Sequence, residues 1–117
     1  MIIDGLEIND WSRPVIEEVR AGGVNIVHAT VGVWEDLGGA MTRIGALRHL
    51  VRENDDIVAI VRTVDDMHRA KADGVLGLVL GFQNSTMLGD GVDDLIGLVA
   101  LGITEPQRVS VGDGDWL

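Results

Sequence analysis

The stretch VLGLVLGF, residues 75–82, is the longest apolar run of the chain. It is far too short to span a bilayer, and its length is typical of a strand covered on both faces in a parallel sheet. A second run of this kind, VNIVHATV at residues 24–31, is rich in β-branched residues. Two shorter runs, Ile2–Leu6 and Ile57–Val61, complete a set of four predicted strands.

Amphipathic segments lie between and after these strands. Helix-capping residues mark several of their ends: Ser12 as an N-cap, Thr63-x-x-Asp66 as a capping box and Gly102 as a C-terminal stop. The predicted helices run from Ser12 to Gly22–Gly23, from Trp34 to Glu53, from Thr63 to just before Gly74, and from Val92 to Leu101.

This alternation of strands and helices predicts the fold class. Strands joined by helices of this length must be parallel, which leaves a doubly wound sheet or a (β/α) barrel. The sequence DGLEINDWS after the first strand lacks the G-x-G-x-x-G fingerprint of a dinucleotide fold, so a barrel fits better. A complete barrel needs eight units and about 250 residues. The 117 residues therefore predict a single partial domain, 1–117: the N-terminal half of a (β/α)8 TIM barrel, with 104–117 as an irregular tail.

Composition limits the partners. The chain has 19 acidic and 9 basic residues, a net charge of -10, which disfavours nucleic acid and anionic membranes. It has no cysteine, which excludes thiolate zinc sites and cysteine nucleophiles and fits a reducing compartment. The N-terminus carries Asp4, Glu7 and Asp10 and does not resemble a signal peptide. We therefore expect a soluble cytoplasmic protein whose partner is a small peptide or another small molecule.

Four segments, taken in order, resemble one enzyme family. They are IIDG at 2–5, EEVRAGGVNIVHATVGVW at 17–34, LGFQNS at 80–85 and LVALGI at 98–103. The chain is similar here to the membrane dipeptidases, the zinc-dependent peptidases related to renal dipeptidase. The resemblance implies a (β/α)8 barrel that hydrolyses dipeptides with a pair of zinc ions at the carboxyl ends of the strands.

The family's metal-ligand positions are changed in this chain. The family motif Asp-Gly-His-x-Asp at the first strand is matched at Asp4 and Gly5, but Leu6 and Ile8 stand at the histidine and aspartate positions. Gln83 stands where the family has a metal-bridging glutamate, and a neutral amide is a weaker ligand than a carboxylate. The remaining histidine ligands belong to the second half of the barrel. We therefore expect no metal site in this chain, with Leu6 and Ile8 packed as core.

Other polar residues are candidates for binding. His28 is expected at the carboxyl end of the second strand, and Gln83 and Asn84 follow the fourth, where barrels place their substrate contacts. His28 could equally be a buried imidazole with satisfied hydrogen bonds, and the polar loop residues could serve as caps. Trp34 is either a packing residue or a wall of the rim. No catalytic residue can be assigned.

Two functions remain open at this stage. The chain is either the N-terminal fragment of a dipeptidase-like hydrolase, inactive on its own, or a metal-free binding or interaction module derived from the same barrel. A four-strand parallel sheet has open edges, so we also expect homo-oligomers or aggregates.

Overall fold

The four predicted strands form one parallel sheet in the computed structural model, which describes residues 1–83, 96–97, 100–106, 110–111 and 115–116. The strands are β1 (Ile3–Glu7), β2 (Ile26–Gly32), β3 (Val58–Ile60) and β4 (Leu76–Phe82). The helices between them are α1 (Arg13–Ala21), α2 (Leu37–Glu53) and α3 (Val64–Asp73). The predicted α/β class, with parallel strands alternating with helices, is confirmed.

The order of the strands differs from their order in the chain. The sheet runs β1-β2-β4-β3, so the short β3 lies outside β4 and not between β2 and β4. One edge of β4 pairs with β2. The other edge is shared, because β3 pairs with Leu76–Leu78 and β5 (Ile103–Pro106) pairs with the stretch from Leu80 to Phe82. This order is set by hydrogen bonding between strands that are distant in the sequence. The pattern of strands and helices along the chain therefore could not predict it.

The predicted irregular tail contains short strands. Its first residues belong to β5, which is held by β4. Farther along, β6 (Ser110–Val111) pairs antiparallel with β7 (Asp115–Trp116). Most of the helix predicted over Val92–Leu101 lies outside the described residues, as does Asn84.

The sheet has two distinct faces. Val27 and Ala29 of β2, with Leu78 and Leu80 of β4, pack against α1 and α2 in the main core, and we call this the α1/α2 face. The opposite face, which we call the His28 face, carries Ile26, His28, Gly77 and Val79. At the amino ends of the strands this face is covered by α3, because Ala70 and Met67 join Ile26, Val61 and Val79 in a second cluster.

The start of α2 and both ends of α3 are set by capping residues close to them in the chain. The capping box predicted at Thr63 is present: its side chain accepts from the backbone N–H of Asp66, whose carboxylate accepts from the N–H of Thr63. Helix α3 ends at Gly74, which has a φ of 71°, the left-handed conformation favoured by glycine. Helix α2 begins at Leu37 and not at Trp34, because the side chain of Asp36 caps it by accepting from the N–H of Gly39.

One arginine links the first two helices. Arg13, at the start of α1, donates to both carboxylate oxygens of Asp56, just beyond α2, at 3.1 and 2.8 Å. It also donates to Oδ1 of Asn54 at 3.1 Å. These hydrogen bonds hold the pKa of the Asp56 carboxyl below its usual value. This bidentate contact fixes the orientation of the Arg13 guanidinium as well as its distance from Asp56. It therefore positions the start of α1 against the end of α2.

Candidate functional site

The carboxyl ends of β2 and β4 lie side by side and form what we call the rim, made of Gly32, Trp34 and Gln83. The backbone N–H of Gln83 donates to the carbonyl of Gly32 at 3.0 Å, which brings the two strand ends together. Gln83 is half-buried, whereas the side chain of Trp34 is 81% exposed. The sequence allowed Trp34 to be a packing residue or a rim wall, and its exposure shows that it is not packed among the described residues.

A partly exposed ion pair holds the backbone next to the rim. One carboxylate oxygen of Glu35 accepts from the backbone N–H groups of Val33, at 2.6 Å, and Trp34, at 3.1 Å. Its other oxygen pairs with Nη1 of Arg43 on α2 at 2.5 Å. The backbone donors, with the Arg43 guanidinium, lower the pKa of Glu35 to about 2. Sequence patterns alone did not indicate this pair, because Glu35 precedes α2 and its position relative to Arg43 depends on the turn before the helix.

His28 does not lie at the carboxyl end of its strand. It is the third of the seven residues of β2, so the expected position at the rim is wrong, because β2 continues to Gly32. Its Nδ1 lies 2.9 Å from the carbonyl of Gly5. A carbonyl can only accept, so Nδ1 carries the proton and neutral His28 has a lone pair on Nε2. That nitrogen is buried and has no hydrogen-bond partner among the described residues.

A β-bulge explains how His28 reaches Gly5. Asp4 pairs with Val27 and Glu7 pairs with Ala29, so two residues of β1 oppose the single residue His28 of β2. Bulges of this kind bend a strand and redirect its groups locally.

The predicted binding residues do not all converge. Val79 pairs with His28, and Gln83 follows Val79 by four residues, which is about 13 Å along a strand. His28 therefore lies deep on its face while Gln83 lies at the rim. Their roles in binding stay predictions, as does that of Asn84, which is outside the described residues.

Leu6 and Ile8 flank Glu7, whose pairing with Ala29 places it on the α1/α2 face. Alternation therefore directs Leu6 and Ile8 to the His28 face, as the family's ligand positions require. They are not core, however: Leu6 is 40% exposed and Ile8 is 58% exposed. The expectation that they pack was wrong because β1 is an edge strand and no described element covers it on that side.

The donor atoms do not fit the zinc pair that the resemblance implies. Hydrocarbon side chains at Leu6 and Ile8 offer no lone pair, and Gln83 offers one neutral amide oxygen. The described residues contain no group of three or more His, Cys, Asp or Glu that could hold a metal ion. The described residues therefore do not fit a pair of zinc ions.

Comparisons with known proteins agree on the fold. An amidohydrolase from Pseudomonas aeruginosa superposes with a TM-score of 0.86 and is 36% identical over 88% of this chain. Dipeptidase AC, a metallopeptidase of family M19, gives a TM-score of 0.75 at 15% identity over 90% of this chain. The probable dipeptidase PvdM from P. aeruginosa gives 0.78 at 18% identity over 99%. No protein-family profile and no curated protein sequence matches.

These neighbours are longer proteins. The chain spans 32%, 41% and 36% of the amidohydrolase, dipeptidase AC and PvdM, respectively. They confirm the resemblance predicted from the sequence, because they are amidohydrolase and dipeptidase proteins with a barrel-like fold. Within the described parts of the chain, no helix has the length and apolar content needed to cross a bilayer.

Proposed function

We propose that this chain supplies the first strands of a barrel hydrolase of the amidohydrolase and dipeptidase kind, and that it binds a small peptide at the rim without a metal ion. The observation that carries the proposal is the 36% identity to the amidohydrolase over 88% of the chain, at a TM-score of 0.86. Barrel enzymes form their sites at the carboxyl ends of the strands, which is where the rim lies.

The rim has the chemistry to bind a peptide group. The indole of Trp34 offers an exposed apolar plane, and the side-chain amide of Gln83 can both donate and accept hydrogen bonds. The partly exposed Glu35–Arg43 pair fixes the backbone at Trp34. Binding and orientation are thus the tasks we assign to these residues, and the groups that hydrolyse the peptide are supplied from outside this chain.

A second candidate function is a metal-free binding or interaction module with no hydrolytic role. The hydrocarbon side chains at the two ligand positions, Leu6 and Ile8, favour it, because zinc cannot bind them. Both functions share the same partner, a small peptide or related small molecule. For both, we infer a cytoplasmic protein that avoids nucleic acid on account of its charge of -10.

Binding is tested by following backbone amide resonances of the ¹⁵N-labelled chain during titration with a panel of dipeptides. We expect saturable shifts at Gly32 and Gln83 that are weakened by Trp34→Ala and by Gln83→Leu. Val64→Ala is the matched control, because Val64 is 65% exposed on α3 and is not one of the rim residues. Absence of saturable shifts with every dipeptide would contradict binding at the rim.

Hydrolysis is tested in the same samples by measuring released amino acids. We expect none from the 117-residue chain alone, and zinc-dependent release would refute the metal-free part of the proposal. Release after addition of a polypeptide that covers the remaining length of the P. aeruginosa amidohydrolase would support the hydrolase role. Binding without release in that mixture would favour the second candidate.

A further inference from the structure

A separate cavity lies on the α1/α2 side of the sheet. It occupies about 240 Å³ between α2 and the loop that joins β1 to α1. The loop contributes Asn9, Asp10 and Trp11, and α2 contributes Arg43, Leu47 and Leu50. A water molecule takes up about 30 Å³ in the liquid, so the cavity has room for a small organic molecule and not only for a bridging water.

Trp11, one of the residues that line the cavity, has an unsatisfied donor. Nε1 of Trp11 is buried and has no hydrogen-bond partner among the described residues. An indole N–H can only donate, and burying it unpaired costs free energy, so an acceptor is missing at this point.

The charges of the lining residues narrow the class of ligand. Arg43 brings a guanidinium that uses Nη1 for Glu35 and has further N–H donors, while Asp10 brings a carboxylate. A simple anion is disfavoured by the net charge of -10. A molecule with one charge of each sign can pair its carboxylate with Arg43 and Trp11, and its ammonium with Asp10. Leu47 and Leu50 provide an aliphatic wall for its side chain.

We propose that this cavity binds a free α-amino acid with an aliphatic side chain. Its carboxylate accepts from the Trp11 indole and from Arg43, its ammonium donates to Asp10, and its side chain lies on Leu47 and Leu50. The site is on the opposite side of the sheet from His28. It shares Arg43 with the ion pair beside the rim, and its test through Asp10 changes no rim residue.

The test uses the fluorescence of Trp11. The chain has three tryptophans, so Trp34→Phe with Trp116→Phe leaves Trp11 as the single emitter. We expect L-leucine to change this emission saturably, and 4-methylpentanoate and 3-methylbutylamine, which each lack one of its charges, to act at least about tenfold more weakly. Asp10→Asn should weaken L-leucine binding to a similar extent. Arg69→Gln is the matched control, since Arg69 is 68% exposed on α3.

Three results would overturn the proposal. The first is no saturable change with L-leucine at millimolar concentrations while circular dichroism shows an intact fold. The second is an equal response to the two singly charged analogues, which would indicate an unselective apolar cavity. The third is unchanged L-leucine affinity in the Asp10→Asn variant. Because Asp10 is an exposed loop residue, that variant is expected to fold normally.

Discussion

Gly77 of β4 lies directly opposite Ile26 of β2, and the space for a side chain at Gly77 is already filled. An added Cβ would stand 2.6 Å from Cδ1 of Ile26 and 2.7 Å from Cγ2 of Val61. All three positions are buried, so the neighbours cannot move into solvent. We therefore expect Gly77→Ala to lower the free energy of unfolding by about 1–3 kcal/mol, measured by urea denaturation.

Gly45→Ala is the control for this substitution. Gly45 lies within α2, and no other described side chain or distant backbone atom would come within 4 Å of an added Cβ. Alanine is a better helix former than glycine, so this variant should gain about 0.5–1 kcal/mol. Equal stability of Gly77→Ala and the unchanged protein would contradict the close packing of β2, β4 and α3.

Glu35 should make stability depend on pH in a defined range. Its pKa is lowered from 4.5 to about 2 in the folded protein, so its contribution is complete above pH 4.5 and is lost as the pH falls toward 2. Because the side chain is partly exposed, we expect a contribution of only about 1 kcal/mol. Thermal unfolding of Glu35→Gln between pH 2 and 7 measures it, and the difference from the unchanged protein should vanish at the acid end.

Glu53→Gln serves as the comparison, because the Glu53 side chain is 64% exposed and, within the described residues, has His49 as its one ion-pair partner. A pH profile for Glu35→Gln that parallels that of Glu53→Gln would show that the hydrogen bonds of Glu35 contribute nothing specific.

Metal binding should be gained by restoring two ligand types on β1. Leu6→His with Ile8→Asp places an imidazole and a carboxylate on the His28 face, two residues apart. Both positions are at least 40% exposed, so the change should cost little stability. We expect the double variant to bind zinc more tightly than the unchanged chain in calorimetric titrations. Leu6→His alone is the control, and stoichiometric zinc retained by the unchanged chain through dialysis would refute the ligand assignment.

Self-association should proceed through β1. This strand has one free edge among the described residues, and Ile3, Leu6 and Ile8 are 40–58% exposed on or beside it. Exposed apolar edge strands tend to pair with other chains. We expect oligomers in light scattering, and Ile8→Lys should reduce their mass. Ile96→Lys, at a position 78% exposed elsewhere, should leave it unchanged. A monomer before any substitution would count against this prediction.

Sequence patterns predicted helices and strands correctly where residues close in the chain determine the structure. The capping box at Thr63 and the left-handed Gly74 fixed both ends of α3. The apolar run at 75–82 became the central strand β4, buried throughout. In each case, residues close in the chain determine the structure.

Long-range features could not be predicted in this way. The place of β3 outside β4 depends on pairing, not on pattern. The exposure of Leu6 and Ile8 depends on which elements cover β1, and hydrophobicity alone suggested a core. The Glu35–Arg43 pair and the unpaired Trp11 indole required coordinates, because their partners or surroundings come from different elements.

The shared outer edge of β4 has a consequence for how the sheet opens. With β2 along one side and β3 and β5 dividing the other, β4 is bonded laterally over nearly its full length. Its amide protons donate alternately to neighbours on the two sides, as Leu76 does toward Ile57 and Gly77 toward Asn25, so exchange along the whole strand requires both sides to separate, whereas β1 can detach by itself. Local opening should therefore spread inward from β1, and β4 should be the last segment to lose its protection.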